Sequence, residues 1–106
     1  MLVAQSITSD LIRSLRPVVL ALRRHSPDLA DQLVRAATSV ALNLAEGTRR
    51  TARDQKRVFR IAAGEAQEVK AALEVAADWG YLDDAALAAA RALADRVGAL
   101  TYGLAR

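Results

Sequence analysis

Apolar side chains recur along this chain at spacings of three and four, the period of a helix face rather than of a strand. Leu11, Leu15, Val18 and Leu22 form the first such stripe. Thr8 or Ser9 is placed to cap it, with Asp10 in the first turn, and Pro17 falls inside it, which predicts one helix kinked at that proline. The run His25-Ser26-Pro27-Asp28 reads as a turn that stops this helix and caps the next at Ser26 or Asp28. The second stripe is Leu29, Leu33, Ala36, Val40, Asn43 and Gly47, with the glycine expected to stop the helix. Thr51 and Asp54 then stand at capping-box spacing. A long third helix follows through Val58, Ala62, Glu65, Val69, Ala72, Ala76 and Trp79, closed by Gly80. Asp83 is expected to cap a fourth, which carries Leu87, Ala90, Leu93 or Ala94, Val97 and Leu100. Connections this short make neighbouring helices antiparallel. The pattern therefore predicts an all-α fold, a single domain over residues 1–106 built as an antiparallel up-down-up-down four-helix bundle.

Composition sharpens that picture by exclusion. There is no cysteine and one histidine, His25, which removes disulfides, thiolate chemistry, Cys-based zinc sites and His-pair metal sites. His25, near a helix C-terminus, is expected to act as a surface cap. The five glycines are scattered at 47, 64, 80, 98 and 103, so no glycine-rich phosphate loop exists. No arrangement supports a catalytic site, a metal site or a cofactor, and a non-enzymatic protein is expected. Alanine supplies 24 of the 106 residues, concentrated in the fourth helix between Ala85 and Ala94, where small side chains permit close approach of a neighbouring helix. Gly64, inside the third helix, is expected to serve such an approach as well. Trp79, Tyr81 and Leu82 form the largest apolar cluster at a helix end and are expected to close the bottom of the core. No apolar run nears the ~18 residues that span a bilayer, and Met1–Ser6 carries no basic run. A cytoplasmic location with no membrane partner is expected.

Charge is unevenly spread. The chain carries a net +3 with a pI near 10.0. Residues 1–48 hold five basic and four acidic side chains, +1, and residues 61–106 hold four basic and seven acidic, −3. Residues 49–60 hold Arg49, Arg50, Arg53, Lys56, Arg57 and Arg60 against Asp54 alone, +5. Arg53/Arg57 and Lys56/Arg60 are like-charge pairs at i,i+4, each costing roughly 0.2–0.5 kcal/mol in an isolated helix. They also crowd the first turns of the third helix, the pole where the dipole disfavours cations. Arg49 and Arg50 instead follow the second helix, whose C-terminus favours them. Two local penalties at one place point to an external or intersubunit anion. Arginine suits phosphate, and most nucleic-acid affinity comes from backbone charge. Sequence-nonspecific binding of RNA or DNA through residues 49–60 is the first expectation. The alternative is a scaffold or interaction module whose basic segment pairs with acidic surfaces of neighbouring subunits or of a partner protein. Phe59 is the one aromatic residue in the segment, which argues against a base-stacking platform.

Polar residues on the second stripe are expected to form a structural network. Ser39, Asn43 and Glu46 stand four and three apart beside Val40 and Leu44, and Glu65 and Glu68 of the third helix are placed to face them. Buried polar groups of this kind set register and partner number.

The run Leu33-Val34-Arg35-Ala36-Ala37-Thr38-Ser39-Val40-Ala41-Leu42-Asn43-Leu44-Ala45-Glu46-Gly47, followed by Arg50, Arg57 to Phe59, Ala63-Gly64, Glu68 and Gly80-Tyr81-Leu82, resembles the four-helix-bundle proteins encoded in intervening sequences of bacterial 23S ribosomal RNA genes. The resemblance covers residues 27 to about 100. It implies an antiparallel four-helix bundle assembled as a homo-oligomeric ring, a pentamer. Asn43 and Glu46 match the family's internal polar pair, and Arg50 its basic residue after the glycine turn. Accessory proteins of diversity-generating retroelements are similar. They are basic, ring-forming, and bind nucleic acid and a reverse transcriptase, so the resemblance implies those two partners. Two departures stand out: Gly64-Glu65-Ala66 in place of the usual Gly-Ser-Leu, and Pro17 in the first helix.

Overall fold

A computed structural model describes residues 1–106, and no residue of it forms a strand. Four helices account for almost the whole chain: α1 (Val3–Leu22), α2 (Pro27–Gly47), α3 (Ala52–Asp78) and α4 (Asp84–Ala105). Each buries one stripe. On α2 the stripe is Ala30, Leu33, Ala36, Ala37, Val40, Leu44 and Gly47. On α3 it is Val58, Phe59, Ala62, Ala66, Val69, Ala72, Leu73 and Ala76. The stripes meet in one cluster of 23 buried apolar residues. Packing runs in a closed circuit, α1 on α2, α2 on α3, α3 on α4, and α4 back on α1. Contacts across α3 and α4 run in opposite numerical order. Glu74 meets Arg91 at 3.0 Å, Lys70 meets Asp95 at 3.3 Å, and Lys56 reaches the main-chain oxygen of Arg106. The bundle measures 43 × 22 × 19 Å. No helix is long and apolar enough to cross a membrane.

Side-chain caps mark two of the four helix starts. Ser26 accepts a hydrogen bond from the Leu29 amide at 3.2 Å, with Pro27 in the first turn of α2. Asp83 accepts from the Ala86 amide at 2.9 Å and starts α4. α3 starts after Thr51 as the spacing predicts, but the Thr51 side chain makes no capping bond. The start of α1 corrects the sequence expectation. The helix begins at Val3, a full turn before Thr8, and runs through Pro17 as one element. The Leu2 amide is satisfied from inside the helix, by Gln5 Oε1 at 2.8 Å, so no polar residue marks the cap. Thr8 is buried mid-helix instead, its hydroxyl donating to the Ala4 carbonyl at 2.7 Å. Thr101 does the same to the Val97 carbonyl at 2.8 Å, so the two buried polar side chains are both satisfied.

Three glycines have three different reasons. Gly80 adopts φ +74, and the bonds Gly80 N–H to Ala77 O (2.9 Å) and Tyr81 N–H to Ala76 O (3.0 Å) close α3 with a Schellman motif. Gly47 needs no special backbone conformation. It is buried against Phe59, whose Cδ1 would lie 2.7 Å from a Cβ at position 47, and its place at the end of α2 reflects packing rather than chain reversal. Gly64 corrects the expectation of a close helix contact within the bundle: it is exposed, with nothing within 4 Å of where its Cβ would be. Trp79 is also a correction. It is 71% exposed and stacks on Tyr81 (6.3 Å between centroids), which in turn stacks on His25 (5.2 Å). Tyr81 and Leu82 close this end of the core, and Trp79 lies outside it.

These contacts give opposite expectations for one substitution. Gly47→Ala forces the buried Phe59 ring to move and should cost about 1–3 kcal/mol. Gly64→Ala replaces an open helical glycine and should add up to about 1 kcal/mol. Urea unfolding of both variants, compared with the wild type, measures the two signs.

Candidate nucleic-acid interface

The six basic residues of segment 49–60 are all exposed, yet they fall into three groups. Arg49 and Arg50 follow the end of α2, and both turn back to one carboxylate. Arg49 Nη2 lies 2.7 Å from Glu46 Oε2, and Arg50 Nη2 2.6 Å from Glu46 Oε1. The hydrogen bond from Arg49, then that from Arg50 and its charge, hold the Glu46 carboxyl below its ordinary range. Two arginines sharing one carboxylate leave a single net positive charge at this turn. Lys56 forms the second group, donating to the main-chain oxygen of Arg106 at the end of α4.

Arg53, Arg57 and Arg60 are the third group. They stand four and three apart, so they share one face of α3 and rise about 6 and about 4.5 Å along it at 1.5 Å per residue. The buried stripe Val58, Ala62, Ala66 and Val69 lies on the other side of the helix. None of the three makes an ion pair or a hydrogen bond within the chain. Asp54, the one acid of the segment, is half-buried in the first turn and makes no ion pair either. Arg53 thus projects from the positively polarised first turn of α3, and Arg57 and Arg60 from the next two turns, none of them in an ion pair. Phe59 and Gln55 seat that end. The Phe59 ring packs on Gly47, and Gln55 Nε2 donates to the Gly47 carbonyl at 3.0 Å.

One cation here was invisible to local pattern. Arg106 lies 50 positions from Lys56 and joins this end of the bundle through α4, its guanidinium 5.8 Å above the Tyr102 ring. No spacing rule connects two residues so far apart.

The polar set expected on α2 does not act as one network. Asn43 Nδ2 donates to the Ser39 carbonyl (2.9 Å) and to Ser39 Oγ (3.0 Å), so this pair is satisfied within α2 and does not reach across to another helix. Glu46 faces Arg49 and Arg50 instead. Glu68 is exposed on α3 beside Leu29 and Gln32, which lie on the stretch of α2 remote from Asn43, and Glu65 makes no bond to the set. Packing of α3 on α2 in opposite numerical order carries Glu68 away from Asn43. No three His, Cys, Asp or Glu side chains gather in metal-binding geometry.

Comparison with known proteins places the fold. The family model described as 23S rRNA-intervening sequence protein matches residues 6–103. A crystal structure of a protein of unknown function from the S23 ribosomal protein family of Bacteroides thetaiotaomicron superposes with a TM-score of 0.86 at 18% identity, covering 98% of this chain and 99% of that one. No curated protein matches.

Glu46 gives this site a pH dependence of known sign. A carboxyl whose folded pKa is lowered contributes stability above its unfolded value, and that contribution is lost as pH falls through the folded value. Wild type should therefore exceed Glu46→Gln in thermal stability at neutral pH. The gap should close on acidification below the ordinary value of 4.5. Melting temperatures of the two proteins across a pH series test this.

Proposed function

The chain belongs to the 23S rRNA-intervening sequence protein family, and on that premise we propose a non-enzymatic, oligomeric four-helix bundle that binds RNA or DNA without sequence preference. The 106 residues act as one domain in the cytoplasm. Phosphate is the group recognised, and Arg53, Arg57 and Arg60 make the principal contacts. Lys56, Arg49 and Arg50 extend the positive field around them. One observation carries this reading: three arginines share an exposed face over the first three turns of α3, and none of them has an ion-pair partner. Phosphate oxygens are suited to arginines left unpaired in this way, and backbone charge supplies most nucleic-acid affinity. The absence of an exposed aromatic side chain among them fits backbone contact rather than base stacking.

The helices run up-down-up-down, and copies associate into a closed ring. The opposite numerical order of the α3–α4 contacts and the short connections support the first statement. The apolar side chains left on the outside of the bundle support the second.

Charge reversal separates this function from the scaffold reading. Arg53→Glu/Arg57→Glu should lower affinity for a fluorescent RNA or DNA by about tenfold or more per arginine, near the 1.4 kcal/mol of a charge-assisted bond. Helicity and mass in solution should stay unchanged. Loss of assembly with the same variant would favour the scaffold. No binding by the wild type near ~50 mM salt, where phosphate contacts are strong, would end the proposal.

A further inference from the structure

Segment 49–60 itself offers no exposed aromatic ring, since Phe59 is buried. Helix α4 brings one to its flank. Along α3, Lys56, Arg60, Gln67, Lys70 and Glu74 recur at helical spacing, so they share one edge. Contacts at several levels turn that edge towards α4. Lys56 donates to the main-chain oxygen of Arg106, Lys70 meets Asp95 at 3.3 Å, and Glu74 meets Arg91 at 3.0 Å. Gln67 and Lys70 border Gly98, where a Cβ would lie 3.4 Å from Gln67 Nε2. Tyr102 stands one turn beyond Gly98 on the same side of α4, and Arg106 one turn beyond Tyr102. The opposite order of the two helices sets both beside the stretch of α3 that carries Lys56 and Arg60. Tyr102 is 64% exposed. The Arg106 guanidinium lies 5.8 Å from its ring centroid and, like that of Arg60, makes no ion pair. The next side-chain carboxylate along this side of α4, Asp95, stands about 10 Å back by helical rise and is already held by Lys70.

We infer that Tyr102 is a stacking platform for an unpaired base, so that this end of the bundle takes single-stranded RNA or DNA, with the flanking phosphates on Arg60 and Arg106. The inference rests on the phosphate-binding reading above and specifies the form of nucleic acid bound. The chemistry of the ring selects that form. A base within a duplex is covered above and below by its neighbours, whereas an unpaired base can lie flat on an aromatic side chain. Every base has a π face, so stacking on Tyr102 adds affinity without reading sequence. A guanidinium beside the ring strengthens such a site, because it attracts the π faces and the phosphate at once. The arginines of α3 then meet the backbone, and α4 supplies the base contact that segment 49–60 lacks. Lys56 is a positioning residue in this arrangement. Its bond to the Arg106 main chain ties the last turn of α4 to α3 and keeps the ring beside the arginines. Sequence spacing could not bring these residues together, because Tyr102 and Arg60 stand on different helices, 42 positions apart.

The test is fluorescence anisotropy on the full chain with labelled probes that differ in their bases but carry equal numbers of phosphates per strand. The probes are oligo(dT), oligo(U), an abasic deoxyribose-phosphate oligomer and a mixed-sequence duplex. Wild type should bind oligo(dT) and oligo(U) at least about fivefold more tightly than the abasic oligomer, the gain expected of one stacked base. Tyr102→Ala should abolish that gain, and the loss should be confined to probes with unpaired bases. The salt dependence of the affinity that remains should match wild type, because the substitution removes no charge. Tyr102→Trp should retain the gain, which a merely structural role of the tyrosine would not require. Position 102 is exposed, and circular dichroism checks that the fold is kept. Equal wild-type affinity for oligo(dT) and the abasic oligomer would overturn the stacking platform and leave the phosphate contacts standing. So would a Tyr102→Ala variant that keeps the gain. A Tyr102→Ala variant that loses duplex and single strand alike would also overturn it. Binding of none of the probes by wild type would overturn the nucleic-acid reading itself, and this inference with it.

Discussion

Phe59 occupies the space that a side chain at position 47 would need, and the seating of α3 on α2 depends on that exchange. The ring is the chain's only phenylalanine and is almost fully buried. It holds the first turns of α3 against the last turn of α2, where Gln55 adds a bond to the Gly47 carbonyl. Fixing Phe59 inward fixes Arg53, Arg57 and Arg60 outward, because all four stand on one rigid helix. The direction of the basic face is therefore a consequence of core packing. No loop sets it, and no intrachain ion pair holds those arginines in place.

The positive charge of segment 49–60 is thereby divided into two kinds. At the end of α2, Glu46 neutralises part of it, and the cations there also suit the helix pole they occupy. At the start of α3, neither compensation operates. The local cost is small, a few tenths of a kcal/mol for each like-charge pair and up to about 1 kcal/mol for Arg53, the one arginine of the three in the first turn. Small costs suffice to make bound anions favourable without preventing the fold. A cation cluster without partners suits phosphate.

Much of the fold was legible in spacing alone. Ser26 and Pro27 opened α2, Gly80 closed α3 and Asp83 opened α4, because each of these boundaries depends on residues within a turn of it. The start of α1 was not legible, since Leu2 is capped by Gln5 from inside the helix and no polar residue precedes Val3. Glycine showed the limit most clearly. Gly47 and Gly64 look equivalent in a helical pattern, yet one faces a buried ring and the other faces open space. Only the neighbouring helix distinguishes them. At the candidate site, the list of cations was legible, but their division was not. Local spacing could suggest Glu46 with Arg50, whereas the contact of Lys56 with Arg106 and the distance of Glu68 from Asn43 follow from how α3 packs against two other helices. The likeness to a solved structure at 18% identity carries the fold alone, so the functional reading rests on the residues of this chain.

The salt dependence of nucleic-acid affinity probes the central claim most directly. If the unpaired arginines of α3 bind phosphate, the logarithm of affinity should fall linearly with the logarithm of salt, by about 0.7–0.9 for each phosphate neutralised. Three arginines give a slope near −2 to −3 for each bound copy by that scale. An affinity that does not change with salt would contradict the account, because it would mean that the arginines' charge plays no part in holding the ligand.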